Sequence, residues 1–140
     1  MNITDILALK PSPEADRAFA EVLMGWRVSF CNLDLLRIED GPMKGLGLSQ
    51  WRPTTGNDGK GDPACWWLGV ERLRELGCRV DVTAFPTAEV VRSPMDIVMV
   101  EVWGGGHVGT GKHPNPAIAV LRAGVQALQA STFAASTAKG

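Results

Sequence analysis

The segment Gly104–His113 holds the residues whose types and spacing come nearest to a known chemistry. Gly106 to Lys112 satisfies G-x-x-x-x-G-K, the spacing with which a phosphate-binding loop wraps backbone N–H groups around a nucleotide and sets a lysine on its phosphates. That chemistry also needs Ser or Thr after the lysine to hold Mg²⁺, and His113 stands there. It needs free N–H groups at the start of the following helix, where Pro114 and Pro116 have none. A later strand bearing a metal-binding acid is wanted too, yet only one helix and a tail remain.

Other reactive types are present without the company they need. His107 and His113 with a cysteine could bind zinc, but no Cys or acid pair lies nearby in sequence, and they read as exposed loop histidines. Cys31, Cys65 and Cys78 are odd in number, widely spaced and form no C-x-x-C. A disulfide framework is not expected, a reducing cytosol suits them, and each reads as a buried structural thiol rather than a nucleophile. Asp58, Asp62, Asp81, Asp96 and Glu101 have no spacing that would converge them as acid and base. No catalytic residue, metal ligand or cofactor is therefore expected.

Composition narrows the classes further. The chain has 140 residues, 45% of them hydrophobic, which suits one domain over residues 1–130 with a flexible tail at 131–140. Lys plus Arg is 14 against 15 acids, so the net charge of −1 offers no basic stripe for nucleic acid. No signal-like start and no apolar run near ~20 residues is visible, so a soluble intracellular protein without a membrane span is expected. Five Trp, four Phe and no Tyr make an aromatic set fit for a core or a binding surface.

The elements that position these residues are marked by local signals. Ser12-Pro13, Asp62-Pro63 and Asn115-Pro116 each put a capping side chain before a proline whose missing N–H costs nothing at a helix start. They predict helices over 13–24, 63–76 and 116–130, and Gly25 and Gly77 supply left-handed stops for the first two. Trp26, Val28 and Phe30 alternate as in a strand, and Leu33 to Ile38 could form another. Residues 79–85 alternate as a half-buried strand. Residues 96–103 are apolar on both sides and predict a strand covered on both faces. The polar glycine-rich stretch 54–61 reads as an exposed, mobile loop. Together these predict an α+β domain, an α-β-α sandwich with a small, mainly antiparallel sheet covered by three helices. Trp26 and Trp103 are expected to be buried, with Phe19, Val70, Val98, Ile118 and Leu121 in the core.

Three blocks carry a resemblance. Ala20-Glu-Val-Leu-Met-Gly-Trp26 looks like an A-x-x-x-M-G-W helix end. Trp51-Arg-Pro53 with Asp62-Pro-Ala-Cys-Trp-Trp67 and Val70-Glu-Arg-Leu73 is similar to W-x-P … D-x-x-x-A-W-x-x-x-E-x-L. Ala117-Ile-Ala-Val-Leu-Arg-Ala-Gly-Val125 matches a closing P-x-A-I-x-R-A-A-L helix. On these blocks the chain resembles the phage ABA sandwich domain proteins, small proteins of tailed phages and prophages. The resemblance spans most of residues 15–130 and implies an α–β–α layered fold and a phage context in the bacterial cytoplasm, but no chemistry. Departures are the long segment 33–47, the missing alanine before Trp67, and Gly124 where alanine is usual.

Two functions follow. The first is a phage or prophage accessory protein without catalysis that binds a host or phage protein, blunting a defence or redirecting an enzyme, with a second copy of the chain as another candidate partner. The alternative is a small nucleotide- or metal-binding enzyme using the Gly104–His113 loop. For the first, Trp66 and Trp67 are adjacent on a helix and point ~100° apart, so one should face outward. With Trp51, Asn57 and Lys60 it is expected to form an exposed partner-binding patch.

Overall fold

In chain order the computed structural model has α1 (Ile3–Leu7), α2 (Pro13–Ala18) continued by a π-helical turn (Phe19–Leu23), β1 (Val28–Cys31), β2 (Leu35–Ile38), a single turn α3 (Gly56–Gly59), α4 (Pro63–Glu75), β3 (Arg79–Phe85), β4 (Ile97–Gly104), β5 (His107–His113) and α5 (Pro116–Lys139). It describes residues 3–31, 35–39, 41, 44–45, 50–85, 97–104 and 106–139. Leu33 and Asp96, at which two of the expected strands begin, lie outside them.

The three cap-proline signals work as capping chemistry requires. Ser12 Oγ accepts from the Ala15 N–H at 3.1 Å, Asp62 Oδ1 from the Ala64 N–H at 3.0 Å, and Asn115 Oδ1 from the Ala117 N–H at 3.0 Å. Each satisfies a backbone donor that the helix itself leaves orphaned. Gly77 (φ 89°) ends α4, and the Cys78 N–H then reaches the Leu73 carbonyl at 2.9 Å, closing the turn. At the end of α2 the wider π turn shifts this bond by one residue, so the Trp26 N–H donates to the Ala20 carbonyl at 2.9 Å across Gly25 (φ 71°). The segment 131–139, read as a tail from its lack of pattern, continues α5. It holds no Gly or Pro to end the helix before Gly140.

The fold is α+β, with β1 and β2 forming an antiparallel pair and β3-β4-β5 an antiparallel sheet. Register places Val80, Val102 and Gly109 in one row and Val82, Val100 and Gly111 in the next, all on one face. The helices pack on this inner face, with α5 across β4 and β5 and α4 against β3. Phe19, Leu23, Trp51, Val70, Leu73, Val100, Val102 and Leu121 are fully buried in one cluster, and Ile118 is fully buried as well. Two glycines let the helices approach. A Cβ on Gly69 would lie 2.5 Å from the Phe19 ring, and one on Gly124 2.6 Å from Leu23 Cδ1. Gly124, a departure from the resembled family, is thus set by the bulk of Leu23 and Leu73.

Among the described residues no helix covers the second face of β4. Its outward row is Ile97, Met99, Glu101 and Trp103, and Trp103 is 47% exposed rather than buried. Val98 is only partly buried. An apolar residue at every position of a strand does not reveal which face the helices will take. Here the even-numbered residues of β4 face α5 and the odd-numbered ones face away.

Candidate functional site

The glycine-rich segment is a strand rather than a loop, and its glycines serve packing. A Cβ on Gly109 would lie 2.0 Å from the Ala123 carbonyl oxygen, and one on Gly111 2.1 Å from that of Ala119. The two-residue period of the strand thus matches the four-residue period of α5, where Ala119 and Ala123 are fully buried. Gly109 and Gly111 pair with Val102 and Val100 of β4. Between them Thr110 donates its N–H to Gln126 Oε1 at 3.4 Å and accepts from Gln126 Nε2 at 2.8 Å. Lys112 is exposed on the opposite face from the helix. Among the described residues of the segment no cradle of free N–H groups faces Lys112.

The histidines stand at the two ends of β5, roughly 20 Å apart by the rise of a strand. They cannot share a metal ion. His113 Nδ1 accepts the Asn115 N–H at 2.9 Å, and burial together with the nearby Arg122 guanidinium holds its imidazole below the ordinary value. Burial pushes the Cys65 thiol up, with Asp62 adding to the effect, and burial alone does the same at Cys78. Both therefore stay protonated thiols, poor nucleophiles at neutral pH. The Cys31 side chain lies outside the described residues. Among the described residues no group of three His, Cys, Asp or Glu could hold a metal ion.

The carboxylates singled out earlier are spread over the molecule. Asp62 caps α4, Asp81 pairs with Arg79 at 3.3 Å, Glu101 sits on the outer sheet face and Asp58 is exposed. The most organised polar group is one the sequence reading missed. Asp16, 1% exposed, accepts from the Thr54 N–H (2.7 Å) and hydroxyl (2.6 Å) on Oδ1 and from the Thr55 hydroxyl (2.6 Å) on Oδ2. Asn115 Nδ2 donates to the Thr54 carbonyl at 2.8 Å and the Gly59 carbonyl at 2.9 Å. These bonds pin the 54–61 stretch from both sides, so it is an anchored turn with Thr54 buried, not a free loop. Asn57 and Asp58 at its tip hold left-handed backbone (φ 55° each). That region is uncommon outside glycine, and Asn and Asp tolerate it best. A cue was available in sequence: a carboxylate inside α2 and a run of two threonines, each able to bond the other's backbone.

Of the residues expected in an aromatic patch, Trp67 faces outward and Trp51 does not. Trp51 is fully buried, its ring 5.9 Å from Phe19 and 5.0 Å from Trp26, and its Nε1–H donates to the Asp16 carbonyl at 2.9 Å. That bond satisfies the indole N–H, which removes the reason for placing this ring at the surface. Trp66 is half-buried against Gly61, and its buried Nε1 has no partner among the described residues. Trp67 is 39% exposed, edge-on to Trp66 and stacked under Arg74 at 5.5 Å. Asn57 and Lys60 are exposed on the turn.

The outer face of the sheet carries the larger apolar exposure. Trp103 and Val108 are register partners, each 47% exposed. Glu101, flanked by Asp81 and Thr110, separates this pair from half-buried Met99 and Ile97 farther along β4. Arg79 beside Trp103 and Lys112 beside Met99 border them with charge. An exposed apolar pair bordered by charged side chains suits a protein contact surface. Comparison with family models, with curated proteins and with solved structures gives no match to this chain. No helix among the described residues is long and apolar enough to cross a membrane.

Proposed function

We propose that this chain is a non-catalytic accessory protein of phage or prophage origin, acting in the bacterial cytoplasm by binding a host or phage protein, with counter-defence as one use of such binding. The observation that carries the reading is the exposed Trp103–Val108 pair on a sheet face that the helices leave open. Exposed Trp supplies large contact area for few frozen torsions and is the residue type most enriched among binding hot spots. The phage context comes from the Met-Gly-Trp, Trp-x-Pro and Arg-Ala blocks. What weighs for this reading over a nucleotide- or metal-binding enzyme is that residues 107–113 form a strand packed on α5.

Affinity capture from bacterial lysate with wild type and Trp103→Glu tests the reading. A protein retained by the wild type and lost by the variant, with unchanged circular dichroism, is the expected result. Equal retention by both would overturn the assignment of this face.

A further inference from the structure

The three-stranded sheet has two edges, and they are treated differently. At the β5 edge, the Gln126 amide takes both the N–H and the carbonyl of Thr110, and Arg122 Nη1 reaches the Lys112 carbonyl at 3.4 Å. Two side chains one turn apart on α5 thus occupy backbone groups that an added strand would need. The same bonds fix the phase of the whole ladder. Alternate residues of an antiparallel strand point their N–H and C=O to opposite neighbours. Thr110 points outward, so Gly109 and Gly111 bond Val102 and Val100, and Glu101 and Trp103 bond Asp81 and Arg79. Val80, Val82 and Ala84 must then direct their N–H and C=O groups away from β4, to the side of β3 that no described strand occupies.

That side is accessible around Val82. Val82 lies on the inner face yet is 40% exposed, whereas Val80, closer in the chain to α4, is buried. Thr83 is exposed, and the Asp81 side chain is 42% accessible. The strand is rich in β-formers, and β5 shows that the fold protects an edge where pairing is unwanted.

We infer that β3 pairs antiparallel with β3 of a second copy about a two-fold axis at Val82, joining two three-stranded sheets into one of six strands. In this register Val80 faces Ala84 of the other copy, Val82 faces Val82, and Asp81 faces Thr83. The outward N–H and C=O groups of Val80, Val82 and Ala84 all find partners, and no like charges stand directly opposite. The two Val82 side chains, each 40% exposed within one chain, cover each other. With the β5 edge capped in both copies, growth stops at two, a closed assembly rather than a fibre. The dimer uses the edge of the sheet and not its outer face, so it stands or falls separately from the partner reading.

Sedimentation of the full chain from micromolar to millimolar concentration tests it. The expected result is a concentration-dependent shift from 15.0 kDa toward twice that mass. Val82→Lys, which sets two charges face to face, raises the dissociation constant roughly tenfold or more. Val82→Pro removes an N–H that β4 does not use, and it also gives monomers with the fold retained by circular dichroism. Gln126→Ala uncaps the other edge and yields species larger than the dimer. In hydrogen exchange, the Val80 and Val82 amides gain protection with concentration while that of Asp81, bonded within the chain, does not change. A wild type that remains monomeric at millimolar concentration overturns the inference. So does a dimer that survives Val82→Lys, or one broken by Trp103→Glu instead.

Discussion

Replacing Gly111 by Ala tests whether the glycine-rich segment is a packing seam, because the methyl group has nowhere to go. Its position lies 2.1 Å from the Ala119 carbonyl oxygen and 2.9 Å from the carbonyl carbon. A carbon and a carbonyl oxygen come no closer than about 3.3 Å, so strand and helix must separate by about 1.2 Å. No side chain can turn aside, since the obstacle is the main chain of α5. The shift would pull Ile118, Leu121 and Val125 outward, all three now buried. A radial gap of 0.5–1 Å already forfeits roughly a quarter to a half of each contact. Overpacked cores lose about 1–3 kcal/mol, and rigid obstacles belong at the upper end or beyond. Alanine recovers about 0.5–1 kcal/mol of the strand's glycine penalty, leaving a net loss of roughly 2–3 kcal/mol. With a urea slope of about 1–3 kcal/mol per molar, the unfolding midpoint should fall by about 1 M. Gly109→Ala should behave alike, its methyl meeting the Ala123 oxygen at 2.0 Å, while Thr110→Ala on the exposed face should be near neutral. A Gly111→Ala protein as stable as the wild type would refute the seam. An unchanged fold that had lost a nucleotide-dependent property would restore the phosphate-loop reading.

Two further perturbations probe the polar interior. Asp16→Ala leaves the Thr54 N–H buried without its acceptor and should cost about 2–4 kcal/mol in a denaturant titration, with faster proteolysis at residues 55–60. An unchanged midpoint would mean that this carboxylate does not anchor the turn. His113, held below its ordinary 6.5 by burial and Arg122, takes up a proton in the unfolded chain before it does so in the folded one. Its contribution to stability is therefore full above about 6.5 and lost as pH falls below that value. Urea midpoints measured from neutral to mildly acid pH should decline through that window, and His113→Asn should flatten the decline. Equal slopes for both proteins would remove His113 as the cause.

Much of this fold is legible in the sequence because capping is local chemistry. Ser12-Pro13, Asp62-Pro63 and Asn115-Pro116 each state a helix start within two residues, and Gly25 and Gly77 state the ends. The alternation of Val80 and Val82 likewise marks β3. What does not show is any property set by distant chain. Trp51 and Trp103 differ in burial because one ring finds Phe19, Trp26 and a carbonyl of α2, while the other falls on the sheet face that no helix covers. Asn115 reads as a cap, but its amide also holds Thr54 and Gly59, more than fifty positions earlier. The purpose of Gly109 and Gly111 was partly readable. Small residues at period two in a strand, followed by alanines at 119 and 123, signal close approach of strand and helix more economically than they signal a phosphate.

Photocrosslinking inside a bacterial host tests the central claim most directly, with a photoreactive residue placed singly at Val108 on the open sheet face or at Lys60 on the anchored turn. The account expects a discrete adduct to another protein from position 108, and little from position 60. Adducts from position 60 alone, or from neither, would contradict recognition through the face that bears Trp103 and Val108.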